Sequence, residues 1–299
     1  MTVQPLRAGV IGAGAFGGHH ARKLARTPGV QLARIFDHHP ERAQALAAET
    51  GATGEGDLDA FLADLDTVTV TSPATCHHEH AAAALARGLH VYVEKPLATT
   101  LQHAAALVDL AARRSLVLAC GHQERAVFAA IGLTAAPERP LRIEAVRRGR
   151  PSARNLDVSC VLDLMVHDLD LALLLSGAEP IAVEGEGDED AVTAEVTFAD
   201  GLDASFTAAR NAEAFERRMT LIYPSGEVSI DFLARTFRNT TSFALDPDFA
   251  DTPAGRDPLG ASVDAFLSAI RGQGAPLASG VEAAAALDLA LAVEQAAGF

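Results

Sequence analysis

The segment Gly12-Ala13-Gly14-Ala15-Phe16-Gly17 constrains this chain more than any other. It stands directly after a short apolar run, Ala8 to Ile11, and directly before a stretch of helical period. Gly12 permits a tight turn, Gly14 lets the backbone approach a pyrophosphate, and Gly17 lets the following helix lie close to the strand. The helix N-terminus then offers unpaired N–H groups to an anion. The setting between strand and helix turns a common spacing into a dinucleotide fingerprint, with Gly12, Gly14, Ala15, Phe16 and Gly17 expected at the cofactor. Asp37 closes the next apolar run, where a carboxylate can accept from a ribose 2′-hydroxyl and would repel a 2′-phosphate. NAD is therefore expected before NADP. His38 and His39 could instead flank a 2′-phosphate, which keeps NADP open, and Asp37 could simply start the turn at His38-His39-Pro40.

The pattern around the fingerprint repeats. Apolar runs at 7–11, 31–36, 67–71, 90–94 and 116–119 alternate with helical patterns at 16–26, 41–49, 77–87 and 101–114. That alternation predicts a parallel sheet with ligands at the carboxyl ends of its strands. After Gly121 the pattern changes. One apolar helix at 161–175 is followed by alternating strands, with hairpin turns at Asp200-Gly201 and at 224–226, and an Ala-rich helix at 281–297 closes the chain. The expected fold is α/β: residues 1–121 form a Rossmann domain, and residues 122–299 form an α/β domain with a mostly antiparallel open sheet.

Charge narrows the partners. Asp and Glu number 39 against 24 Lys and Arg, a net charge of −15, so phosphate backbones and anionic membrane surfaces are repelled. Neither nucleic acid nor a membrane is expected as partner. Cys76, Cys120 and Cys160 are scattered and form no CxxC pair, which suits a reducing cytoplasm. No apolar run approaches the ~20 residues of a membrane helix, and no signal-peptide core is read.

Three groups of residues could carry chemistry. Lys95, in Glu94-Lys95-Pro96, follows the run 90–94 on the edge where a nicotinamide should lie, and could donate to a substrate hydroxyl or carbonyl; alone it could equally be a solvated loop lysine. Asp163 and His167 are four residues apart on an otherwise apolar helix, so both can point from one face. That stripe, continued by Asp170, is either the helix's wet face or the wall of a site in which His167 accepts a proton from an alcohol. Arg147, Arg148, Arg150 and Arg154 form a positive island, either a solvated loop or an anion clamp.

With these residues together the chain resembles the Gfo/Idh/MocA oxidoreductases. The likeness rests on Gly12 to Gly17, Pro73 with His77, Gly88-Leu89-His90-Val91-Tyr92-Val93-Glu94-Lys95-Pro96, Gly121-His122-Gln123-Glu124-Arg125 and the segment 161–171. It implies a Rossmann domain followed by an α/β domain whose open sheet forms subunit contacts, giving a homodimer or homotetramer, and redox chemistry at a sugar hydroxyl or ketone. The family's catalytic lysine, aspartate and histidine fall on Lys95, Asp163 and His167. The cofactor set extends to His38, Ser72, Pro73, His77, Glu94 and Lys95.

A narrower likeness, carried by Arg150 to Arg154, Asp157-Val158 and 161–170, is to the branch that includes UDP-N-acetylglucosamine 3-dehydrogenases. It implies a nucleotide-sugar substrate met by Lys95, Arg125, Arg150, Arg154, Asp163 and His167. The chain departs from that branch's Glu-Arg-Phe-Asn-Pro, reading Glu124-Arg125-Ala126-Val127-Phe128. A dehydrogenase of a free polyol such as inositol, a dinucleotide-binding sensor without turnover, and a zinc enzyme built on His77, His78 and His80 are the alternatives. The last lacks an obvious carboxylate partner for the histidines, and no metal is expected.

Overall fold

The computed structural model describes residues 4–152 and 157–299. The chain forms two compact units, Met1–Gly121 with Asp264–Ala284, and His122–Val263 with Ala285–Phe299.

The first unit alternates strand and helix: β1 (Leu6–Ile11), α1 (Ala15–Leu24), β2 (Val30–Phe36), α2 (Pro40–Thr50), β3 (Thr53–Glu55), α3 (Leu58–Leu62), β4 (Thr67–Val70), α4 (His77–Ala86), β5 (His90–Val93), α5 (Leu101–Arg113) and β6 (Leu118–Cys120). All six strands pair parallel in the order β3-β2-β1-β4-β5-β6. Residues such as Val10, Ile11, Val68, Val70, Val91 and Val93 are fully buried. A strand covered on both faces loses polar alternation, which is why these segments read as continuous apolar runs. The order reverses between β1 and β4, the place where a doubly wound sheet opens a crevice at its strand ends. Sequence reading passed over β3 and α3. They are three and five residues long, too short for a period, and α3 depends on Asp57, whose carboxylate accepts from Ala60 N–H at 2.8 Å.

The second unit contains α6 (Glu124–Ile131), β7 (Arg142–Arg148), a π-helical turn (Val161–Met165) running into α7 (Val166–Ser176), then β8 (Pro180–Gly187), β9 (Ala191–Phe198), β10 (Asp203–Ala209), β11 (Glu216–Tyr223), β12 (Gly226–Asp231), β13 (Thr236–Asn239) and the short α8 (Pro253–Arg256). The strands form one sheet, β13-β12-β11-β7-β10-β9-β8. Every described pair is antiparallel except β7–β10. Both expected hairpins form, β9–β10 around Asp200-Gly201 and β11–β12 at Tyr223–Gly226. On one face Ile143, Ala145, Phe206, Met219 and Leu221 are buried, with the π turn packed against β7 and β10.

Two helices close the chain, α9 (Pro258–Ile270) and α10 (Gly280–Ala297). Residues 264–284 pack with the first unit, not the second as sequence order suggested: Cys120 N–H donates to Ala278 O at 3.0 Å, and the Tyr92 ring meets Phe266 edge-on at 5.6 Å. The later turns of α10 do lie on the second unit; a Cβ on Gly185 of β8 would come within 2.9 Å of Val293 O and Ala297 N. No described helix is long and apolar enough to cross a membrane.

The arginine island is the main correction. Its first half is strand β7, so Arg147 and Arg148 point to opposite faces. Arg148 pairs outside with Glu216 at 3.2 Å. Arg147 faces the core at 2% exposure, and its guanidinium clamps Asp168 of α7 in two hydrogen bonds, 2.9 and 2.8 Å. Asp168→Ala would leave that cation buried without its bidentate partner and should lower the unfolding free energy by about 3–5 kcal/mol, whereas Arg148→Met at the exposed pair should cost under about 1 kcal/mol. Urea denaturation of the two variants checks the contrast.

Candidate active site

In the first unit the chain leaves β1 through Gly12 at φ +98°, a conformation other residues adopt with strain. A Cβ on Gly17 would lie 1.7 Å from Gly12 O, so only glycine lets α1 start this close to the strand. Thr71 Oγ1 donates to Ile11 O and Gly12 O at 2.9 and 3.0 Å, fixing the loop from β4. Gly14 caps α1 without a side-chain hydrogen bond, and a Cβ there would meet nothing within 4 Å. The result is a helix N-terminus with open space in front of it, which fits a pyrophosphate. Ala15 and Phe16 are exposed beside it.

Asp37 closes the cradle. Its Oδ2 accepts from Ala13 N–H at 2.7 Å and its Oδ1 from His39 N–H at 2.8 Å, so it both begins a turn, as one alternative held, and ties that turn to the glycine loop. Each oxygen keeps a lone pair for a ribose hydroxyl. His38 is exposed beside it.

At the ends of β4 and β5 the other expected cofactor residues gather around His77. Its Nδ1 lies 2.7 Å from Pro96 O and its Nε2 2.9 Å from Ser72 O, so one imidazole spans the loops that carry Ser72-Pro73 and Glu94-Lys95-Pro96. Burial pushes the His77 imidazole down, while the two carbonyls and Glu94 pull it up. Ser72 Oγ pairs with His80 Nδ1 at 2.9 Å. Pro73 is exposed, Lys95 half-buried and Glu94 buried. Glu94 Oε1 lies 2.7 Å from Nε2 of the fully buried His20, a partner that the spacing did not reveal.

The second unit assembles a denser site. His167 Nδ1 lies 2.9 Å from Glu124 Oε2, and Glu124 Oε1 accepts from Arg147 Nη1 at 3.0 Å. The carboxylate set against His167 thus comes from α6; the Asp163–His167 spacing suggested a partner on its own helix, but it begins inside a π turn and is not a simple α-helical one. Burial drives the Glu124 carboxyl upward, but the charges of His167 and Arg147 outweigh it and hold Glu124 well below the usual carboxylate range. Arg125, expected at substrate, instead grips Asp170 through two hydrogen bonds of 2.8 and 2.7 Å. His122 packs there too, its Nδ1 3.6 Å from Asp170 and its ring 6.3 Å from that of His167. The acidic stripe of α7 is therefore not a wet face: Asp168 and Asp170 are buried, Asp163 and His167 half-buried. Arg150 donates to Glu213 O at 2.8 Å on the surface, and Arg154 lies outside the described residues.

Residues 6–122 match the model of the GFO_IDH_MocA oxidoreductase family with an NAD-binding Rossmann fold. Over 97% of this chain and 97% of the relative, the sequence is 37% identical to the UDP-N-acetylglucosamine 3-dehydrogenase of Acidithiobacillus ferrooxidans. The chain belongs to the Gfo/Idh/MocA oxidoreductase family. The solved structure of that relative superposes with a TM-score of 0.88 at 35% identity, covering 98% of each chain. The WlbA dehydrogenase of Bordetella pertussis, solved with NADH and UDP-GlcNAcA, shares the fold with a TM-score of 0.87 at 20% identity, over 99% of this chain and 96% of that one. An inositol 2-dehydrogenase of Acidiphilium cryptum is 31% identical over 56% of this chain and 53% of its own. Like other members of the family, the chain is an oxidoreductase whose first unit is an NAD-binding Rossmann fold.

The lowered Glu124 carboxyl gives a pH test with a definite sign. Its folded value lies below the ordinary 4.5, so its charge stabilises the fold above that pH, and the stabilisation fades as pH falls through the lowered value. The melting-temperature gap between the wild type and Glu124→Gln should be widest near about pH 6 and shrink towards about pH 3. A gap that is flat with pH would count against the ion pairs described for Glu124.

Proposed function

We propose that the protein is an NAD-dependent dehydrogenase of a nucleotide sugar, oxidising the 3-hydroxyl of UDP-N-acetylglucosamine to a ketone. The observation that carries this reading is the near-full-length 37% identity to an enzyme with that activity, in a chain whose imidazole at 167 lies against the Glu124 carboxylate. The Gly12–Gly17 loop would hold NAD, which would supply the hydride acceptor. Asp37 holds the ribose end and disfavours a 2′-phosphate.

The chain's own residues handle the proton. His167 is set through Nδ1 against Glu124, leaving Nε2 to take the proton of the substrate hydroxyl as the C–H bond gives up its hydride. Asp163 orients that hydroxyl, and the Lys95 ammonium steadies the alkoxide as charge develops. In the reverse direction the same proton returns from His167. The outer face of the seven-stranded sheet, where Val146, Thr220 and Ile222 are only half-buried in the single chain, is the surface through which copies of the chain would pair.

A free polyol is the second reading, favoured by the likeness to inositol 2-dehydrogenase. Following NADH absorbance with UDP-N-acetylglucosamine and with myo-inositol separates the two; faster turnover of myo-inositol would reject the nucleotide sugar. With the better substrate, His167→Ala should lower kcat by about 10²- to 10⁴-fold. Unchanged turnover in that variant removes His167 as proton acceptor.

A further inference from the structure

The cations at this end of the second sheet are almost all committed. Arg125 holds Asp170, Arg147 holds Asp168 and Glu124, Arg148 holds Glu216, and Arg218 lies 3.4 Å from Asp231. Arg217 differs. It is the second residue of β11, in register with Arg147 on β7, and it begins the face that continues through the buried Met219, Leu221 and Tyr223. Its side chain is half-buried, yet among the described residues no carboxylate reaches it within ion-pair distance. Burial and the neighbouring Arg147 both press its guanidinium towards the neutral form, while Glu124, Asp168 and Asp163 are near enough only to offset this in part.

Two arginines paired in register on a partly dry face repel, and the nearby carboxylates offset that cost only in part. An oxyanion from outside would relieve it. The position is apt, because Arg217 pairs in register with Arg147, whose guanidinium donates to Glu124, the residue set against His167. An arginine fork matches phosphoryl oxygens in geometry and charge. In a chain of net charge −15, a nucleotide-sugar diphosphate needs such a local cation.

We propose that Arg217 is the phosphoryl anchor of the second unit, taking an oxygen pair of the substrate's diphosphate. That places an anion clamp on β11, whereas Arg147 and Arg148 of the arginine run are already paired with carboxylates of the chain. This assignment rests on the nucleotide-sugar reading, and binding can test it without turnover. UDP is titrated calorimetrically into the full-length protein loaded with NAD, using the wild type, Arg217→Gln and Arg217→Lys.

Loss of the fork should weaken UDP binding about 10- to 100-fold in Arg217→Gln, with Arg217→Lys between the two because it keeps charge but not the fork. With UDP-N-acetylglucosamine as substrate, KM should rise by a similar factor while kcat changes less than about 3-fold, the mark of an interaction made equally in the ground and transition states. Equal UDP affinity in all three proteins overturns the anchor, as does a wild type that does not bind UDP. A wild type that binds UDP through Arg217 but never oxidises UDP-N-acetylglucosamine rejects the proposed reaction and leaves the anchor in place. If Arg217→Gln does not fold, Arg217→Lys decides: affinity equal to wild type overturns the anchor, and a weaker one supports it.

Discussion

Arg147 is almost wholly inside the second unit, and a guanidinium there is tolerable only if its charge is paired and hydrogen-bonded. Two go to Asp168 on α7 and one to Glu124 on α6. A fork fixes distance and plane together, so this single side chain holds α6, α7 and β7 in one mutual arrangement. The second fork, Arg125 on Asp170, repeats the constraint between the same two helices. Between these clamps lies the contact between His167 and Glu124. The imidazole is thus placed by buried ion pairs, a positioning that a functional side chain on a rigid element requires.

The first unit solves a different problem with different means. Its glycine loop has no polar side chain with which to hold itself, so the neighbours do it: Thr71, just past β4, donates to the carbonyls of Ile11 and Gly12, and Asp37, just past β2, accepts from the Ala13 N–H. The same sharing recurs one strand over, where His77 on α4 spans the carbonyls of Ser72 and Pro96. Both devices tie loops at the ends of adjacent parallel strands, the place where such sheets bind ligands. Lys95 therefore sits in a loop braced by His77 on one side and by the Glu94–His20 pair on the other.

Much of this was legible in the residues because the Rossmann half is built from local signals: a glycine spacing, apolar runs of strand length, helices of clear period. What stayed hidden was non-local. Strand β7, Arg-Ile-Glu-Ala-Val-Arg-Arg, does alternate, but its inward series ends on an arginine, and an arginine reads as surface unless its carboxylates are known to lie opposite. Those carboxylates, Asp168 and Glu124, are 21 and 23 residues away in opposite directions. The partner of His167 was hidden for the same reason; an Asp four residues back is visible in a sequence, and a Glu on another helix is not. Residues 264–284 joined the first unit through contacts such as Cys120 with Ala278, which order along the chain gives no means to foresee.

The clamps also commit their cations: Arg125 is held by Asp170, and Arg147 by Asp168 and Glu124. The same bookkeeping explains why the arginines of β7 are poor candidates for substrate contact: withdrawing Arg147 towards an external phosphate would strand Asp168 and unbalance Glu124. A cation free to meet an incoming anion must stand outside that closed account while sharing its wall.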